Sequence, residues 1–180
     1  GWNTLSTPVK LISTADSIDE LIPSGMTIGY YYDGGWQQIT AGYTLSPCDA
    51  VYVKMSAITY VQLKFDAGAF TAPSKNLAVG WNLISLAYLS SSGKSDLATV
   101  ASVAKTAANL PGYAQVVSPS MNAAQTDLYG TTGTSWTYSR DETTGGGTAY
   151  MFAGLGYWVY MQNAATLAGF TLTPIVPDLD

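Results

Sequence analysis

Tyrosine and tryptophan are the residues of this chain best suited to chemistry, with 13 Tyr and 5 Trp among 180 residues while charged residues make up only 11%. Their chemistry is recognition: an aromatic ring offers an apolar face for stacking, and Tyr and Trp add a polar edge that hydrogen-bonds. They crowd at Tyr30, Tyr31, Tyr32 and Trp36, and Tyr129 lies in a polar stretch farther on. These five are the candidate binding residues, able to stack on sugar rings or anchor a protein partner. Alternate members of a run on one strand point to opposite faces, so Tyr30, Tyr31 and Tyr32 cannot all enter one core. Trp2, Trp81 and Trp158 sit in recurring motifs and are expected to fill cores, since a residue repeated in a repeat serves repeated packing.

Groups that could carry a reaction are scarce. The sequence has no His, which removes the commonest general base and metal ligand. Cys48 is the single cysteine and has no disulfide partner within the chain. With neither a His nor a cationic cluster beside it, it reads as a small buried apolar residue. No Gly-x-Ser-x-Gly nucleophile motif occurs. Asp16, Asp19 and Glu20 are a conceivable calcium set, but acidic residues in a first helical turn complement the helix dipole without a metal. Asp141 and Glu142 beside Gly145 do not follow calcium-loop spacing, and nothing in the spacing pairs Asp66 with Glu142 as glycosidase carboxylates. The Gly-rich stretch 141–148 has no Lys after its glycines, unlike a phosphate cradle. The expectation is a protein with no catalytic residues, no metal and no cofactor.

Charge narrows the partners. The formal net charge is -5 and no run of Lys or Arg could neutralise several phosphates, which argues against nucleic acid and anionic membrane. No apolar run reaches the 18 residues of a membrane helix, so membrane insertion is not expected. The chain begins at Gly1 and not at Met, as a processed product or excised fragment would.

The elements that position these residues repeat. Gly1-Trp2-Asn3-Thr4-Leu5-Ser6 returns 79 residues later as Gly80-Trp81-Asn82-Leu83-Ile84-Ser85, and Trp36 has a counterpart 100 residues on in Trp136. Ala50-Val51-Tyr52-Val53-Lys54-Met55 matches Gly156-Tyr157-Trp158-Val159-Tyr160-Met161 at 106. The growing offsets place insertions in the second copy, where loops absorb length. The boundary falls near Val79, after a loop over 71–76, giving domains 1–79 and 80–180. Each copy is predicted to open with a strand, at 2–9 and 81–89. A capped helix follows with Ile18, Leu21 and Ile22 on its inner face, stopped by Pro23 and Gly25. Its counterpart carries Leu97, Val100, Val103 and Ala104 and stops at Pro111-Gly112. Strands are then expected at 27–32 and 36–40 around an Asp33-Gly34-Gly35 hairpin turn, and at 51–55 and 60–65. In the second copy they fall at 114–117, 136–139, 157–161 and 166–172, with a polar loop at 118–134. The fold class is mainly β: two tandem homologous small β-sandwich or partly open barrel domains, each with one short helix.

The opening Gly-Trp-Asn-Leu-Ile-Ser strand, the helix, the Tyr-rich strand ending in Asp-Gly before a Trp strand, and the late Gly-Tyr-Trp-Val strand together resemble the repeat modules of archaeal and bacterial cell-surface and S-layer-associated proteins. The likeness is closest at Gly80 to Ser85 and Gly154 to Leu167. It is weaker in the first copy, where Asp49-Ala50-Val51-Tyr52 replaces the Gly-Tyr-Trp core. The resemblance implies an exported, modular protein found outside the cell or on its surface, and no known reaction. Two functions fit. One is a structural or assembly module, a spacer, lattice or filament component that meets other protein domains or its own copies through edge strands and the tail 171–180. The other is an adhesion module that binds glycans or proteins through exposed aromatics.

Overall fold

The computed structural model describes residues 1–68, 71–86, 97–99, 112–118, 136–139, 150–152 and 154–168. The architecture is mainly β, built from open antiparallel sheets. The first sheet has β1 (Trp2–Ser6), β2 (Met26–Tyr32), β3 (Trp36–Gln38) and β4 (Ala50–Met55), in the order β1-β4-β2-β3. The second has β6 (Gly80–Ser85), β8 (Tyr113–Ser118), β9 (Trp136–Ser139) and β11 (Gly156–Met161), in the order β6-β11-β8-β9. Two short ladders join β5 (Ser74–Leu77) to β12 (Ala165–Ala168), and β7 (Leu97–Thr99) to β10 (Tyr150–Phe152). Among the described residues no helix is long and apolar enough to cross a membrane.

The core of the first sheet follows from alternation. Val51 and Val53 on β4 point inward, and Leu11, Ile18, Leu21, Ile22, Ile39 and Leu45 close over them. Ile18 and Leu21 arrive on α1 (Ile18–Leu21), a single turn held by a capping box in which the Ser17 hydroxyl accepts from the Glu20 amide while the Glu20 carboxylate accepts from the Ser17 backbone N–H. The Glu20 carboxylate accepts from the Ser17 backbone N–H, the Ser17 hydroxyl and the Asp16 backbone N–H, and these bonds hold its carboxyl below its ordinary value. In the second sheet Tyr157, Val159 and Met161 take the inward phase of β11, beside Ile84 and Val116.

The two sheets match beyond strand order. On β2 against β4 the register shifts between Met26 and Ile28, and on β8 against β11 it shifts between Tyr160 and Met161, so Thr27 and Ala114 are the residues skipped. Gly25 and Gly112 precede these bulges with positive φ, and their carbonyls accept from Ser56 and Gln162. The sheets also meet reciprocally. The Ser6 amide donates to the Gly154 carbonyl at 3.0 Å, and the Ser85 amide donates to the Cys48 carbonyl at 3.0 Å. Gly156 lies against Ala50 and Thr4, and its amide donates to Thr4 Oγ1. Lys75 ties the joint from one side, pairing with Asp49 and donating to the Leu83 carbonyl.

Several sequence expectations change. Residues 71–76 were expected as a loop, but Ser74–Leu77 is a strand whose partner, β12, lies beyond residue 160 in the chain. Residues 60–65 form no ladder strand; only Phe65 bridges, to Leu11, and Tyr60 is almost fully exposed. The segment whose spacing fits a helix from Leu97 starts as strand β7, and the rest of that helix lies outside the described residues. Trp136 pairs with Ser118, whereas Trp36 pairs with Tyr32. Since Met26 and Tyr113 both pair with the matched Met55 and Met161, Ser118 corresponds to Tyr31. Trp136 therefore takes the ladder place of Gln37 and not that of Trp36.

Candidate aromatic binding face

Inward phases on one side of each sheet dictate what the other side carries. With Val51 and Val53 buried, Tyr52 projects from the opposite face, directly across from Thr4 on β1 and Tyr30 on β2. Tyr32 shares the phase of Tyr30 and pairs with Trp36. On the second sheet the burial of Tyr157 and Val159 turns Trp158 and Tyr160 outward, and Tyr160 pairs with Trp81. The joint between the sheets sets these two outer faces side by side.

The result is one uninterrupted run of rings. Trp2 meets Tyr30 at 6.0 Å between centroids, Tyr30 meets Trp36 at 6.3 Å, and Trp36 meets Trp158 at 5.6 Å. Trp158 meets Trp81 at 6.4 Å, and Trp81 meets Tyr160 at 5.2 Å. Tyr32 and Tyr52 fill the junction, 5.0 and 6.4 Å from Trp158. Most contacts are edge-to-face, the arrangement the ring quadrupole favours, each contributing about 0.5–1.5 kcal/mol beyond burial. Trp158 Nε1 donates to the Tyr52 hydroxyl at 3.1 Å, so a hydrogen bond fixes the central pair across the joint. Burial raises the Tyr52 pKa, and the Trp158 bond partly offsets it. Lys54 lies over the Trp2 ring, 5.9 Å from its centroid.

This surface is open. Trp36 is 53% exposed and Trp2 50%. A groove of about 450 Å³ runs between the sheets, walled by Tyr32, Trp36, Trp81, Gln115, Val117 and Trp158. Among the described residues no charged side chain lines it.

Of the five residues expected to bind, Tyr30, Tyr32 and Trp36 come together on this face. Tyr31 points the other way and stacks on Tyr43 at 4.8 Å. Tyr129, the loop beyond Ser118 and the 141–148 stretch lie outside the described residues. Trp2, Tyr52, Trp81, Trp158 and Tyr160 belong to the face but were not among the five. The expectation that Trp2, Trp81 and Trp158 fill cores is corrected: Trp2 and Trp81 are exposed and Trp158 is half-buried within the aromatic run. The signal for them was phase. In Gly156-Tyr157-Trp158-Val159-Tyr160-Met161 the buried set is Tyr157, Val159 and Met161, and alternation leaves Trp158 and Tyr160 outside.

Two of the other chemical candidates, Asp19 and Asp66, are engaged in structure. Asp19 Oδ2 accepts from the Gly42 amide, and Asp66 accepts from the Gly68 amide and pairs with Lys10. Among the described residues no three His, Cys, Asp or Glu side chains gather where they could hold a metal ion. Burial pushes the Cys48 thiol up to about 12, so the nucleophilic thiolate is a negligible species near neutral pH. The geometry thus offers stacking and hydrogen bonding.

Comparison with family models, with curated proteins and with solved structures finds no match to this chain.

Proposed function

We propose that this chain is a non-catalytic glycan-binding module of an extracellular, cell-surface protein, and that it is made of two homologous halves, 1–79 and 80–180, with β5 contributed across that boundary. The observation that carries the proposal is the continuous aromatic face, which the joint between the halves assembles from both. Sugar rings combine apolar C–H faces with a rim of hydroxyls. A groove walled by rings, with the Gln115 carboxamide among them and no charge among the described residues, complements both parts. The matching bulges and the reciprocal Ser6 and Ser85 bonds support the duplication. The low charge, the polar Thr, Ser and Tyr surface and the resemblance to surface-protein repeats support the extracellular setting.

Titration of the intact chain with neutral soluble glycans, read by tryptophan fluorescence and calorimetry, tests the binding role. Saturable binding is expected, weakened about tenfold or more, ~1.4 kcal/mol, by Trp36→Ala and by Trp158→Ala in variants that keep the parent circular dichroism. Equal binding by parent and variants, or no binding at all, would exclude the groove as a glycan site.

A second reading, a lattice or filament component, draws on a different observation. Among the described residues β3 is an edge strand whose three residues are all exposed, with one side of its backbone ladder unpaired. Growth of particle mass with concentration in light scattering, and ordered sheets or filaments in electron micrographs, would favour that reading.

A further inference from the structure

Among the described residues, the ladder between β5 and β12 has no counterpart beside the first sheet. Met55 at the end of β4 matches Met161 at the end of β11, and the residue after each, Ser56 or Gln162, donates its amide to the carbonyl of the matched glycine, Gly25 or Gly112. Carried on without a gap, the match sets Thr59, Tyr60, Val61 and Gln62 against Ala165, Thr166, Leu167 and Ala168 of β12. The phases agree. Leu167 is buried between exposed Thr166 and Ala168, and Val61 packs against the first core between exposed Tyr60 and Gln62. Leu63 and Phe65 continue the inward phase, so 60–65 alternates as a strand does. Yet only its far end is paired. The Lys64 carbonyl accepts from the Ile12 amide and the Asp66 amide donates to the Lys10 carbonyl, whereas 57–63 makes no backbone hydrogen bond among the described residues. Leu167 is covered at 6% exposure, while Val61 is only partly buried and its neighbours Ile58 and Tyr60 stand 89% and 95% exposed.

We infer that the 59–62 edge is the docking site for a strand of the β5 kind, supplied by a neighbouring protein module and running antiparallel to it. This rests on the two-half reading above and is independent of the glycan groove. An open edge recruits an extended segment through main-chain hydrogen bonds, and alternate side chains set which segment fits. The second sheet shows what fits. Leu77 lies across from Ala165, Asn76 from Thr166 and Lys75 from Leu167. The docked strand therefore sets an apolar residue across from Thr59, a polar one across from Tyr60, and the aliphatic stem of a long side chain across from Val61. β5 shows the approach as well. It enters β6 through Ala78, whose backbone N–H and carbonyl are both held by the Asn82 carboxamide. Asn82 also donates to the Gly80 carbonyl, as the matching Asn3 donates to the Gly1 carbonyl. A docked strand thus ends beside Gly1, as β5 ends beside Gly80.

A copy of 71–79 joined ahead of Gly1 presents such a strand to the intact chain at high effective concentration. Amide hydrogen exchange, followed residue by residue in the parent and the extended chain at several protein concentrations, tests the inference. In the parent the amides of 165–168 should exchange slowly and those of 59–62 fast, since only the former pair with a strand. The extension should slow exchange at 59–62 by about tenfold or more, and Leu77→Asp made in the appended copy alone should return it to within about twofold of the parent. No slowing by the extension, or equal slowing by the Asp form, overturns the inference. With 165–168 still slow, the two-half reading then keeps its matched registers. Slow exchange at 59–62 in the parent overturns it as well: a second copy covers the edge if the protection grows with concentration, and the chain's own residues cover it if it does not.

Discussion

The two four-stranded sheets share a strand order and a bulge position but differ where they touch. The first sheet offers Ala50 to the joint and the second, at the matching place on β11, offers Gly156. Cys48 and Gly154 precede them, both with positive φ, and each turns its carbonyl toward a serine amide of the other sheet. Ser6 Oγ donates to the Leu155 carbonyl at 2.9 Å, whereas the matching Ser85 Oγ is buried without a partner among the described residues. The comparison teaches that backbone pairing preserves a common frame while the side chains at the meeting point are fitted to one another in only one arrangement. These contacts set the two sheets edge to edge and so place the rings of both on the aromatic face.

The largest expected effect is at the closest approach. A Cβ added at Gly156 would stand 2.7 Å from the Ala50 Cβ and 3.3 Å from the Thr4 Cβ, and both neighbours are anchored on strands. Gly156→Ala should cost about 1–3 kcal/mol in urea denaturation through overpacking. Combining it with Ala50→Gly moves the methyl to the other side of the contact. The double variant should be more stable than Gly156→Ala alone, even though Ala50→Gly by itself costs roughly 0.5–1 kcal/mol of strand stability. Strictly additive losses would mean that the two residues do not oppose one another.

A smaller effect separates the two serines. Ser6→Ala removes a buried hydrogen bond and strands the Leu155 carbonyl, which should cost about 1–2 kcal/mol. Ser85→Ala deletes a hydroxyl that has nothing to bond within the described residues, so it should be neutral or slightly stabilising. The difference between the two midpoints in one denaturant series reads the asymmetry directly, and equal losses would show that Ser85 Oγ is satisfied in solution.

Much of this frame was readable in the sequence where signals are local. The Asp33-Gly34-Gly35 turn, the Ser17 cap with Glu20 three residues on, and the valines of β4 each depend on neighbours within a few residues. β5 was hidden because Ser74-Lys75-Asn76-Leu77 is polar and its partner β12 lies about 90 residues away, so its pairing is a tertiary fact. The 60–65 segment shows the reverse. Its composition suits a strand, yet only Phe65 has a bridging partner. At the site, alternation correctly parted Tyr31 from its neighbours. Recurrence alone points the tryptophans inward, whereas the phase of the buried residues around Trp158 turns it outward.

The smallest effect sharpens the comparison at the left-handed positions. Cys48 is the one described residue other than Gly with positive φ, at 71°, and it matches Gly154 at 87°. A residue with a Cβ pays roughly 1–2 kcal/mol in this region. Among the described residues nothing crowds a Cβ at Gly154, so Gly154→Ala should cost about that much through the backbone alone. Cys48→Gly relieves the same strain but gives up a fully buried thiol, and burying a group of that size contributes about 1 kcal/mol. The two terms offset, so Cys48→Gly should leave stability within about 0.5 kcal/mol of the parent. Denaturation midpoints for the pair check both values. A large loss in Cys48→Gly would mean that thiol packing outweighs the backbone, and that the joint depends on the side chain at Cys48 more than on the turn it shares with Gly154.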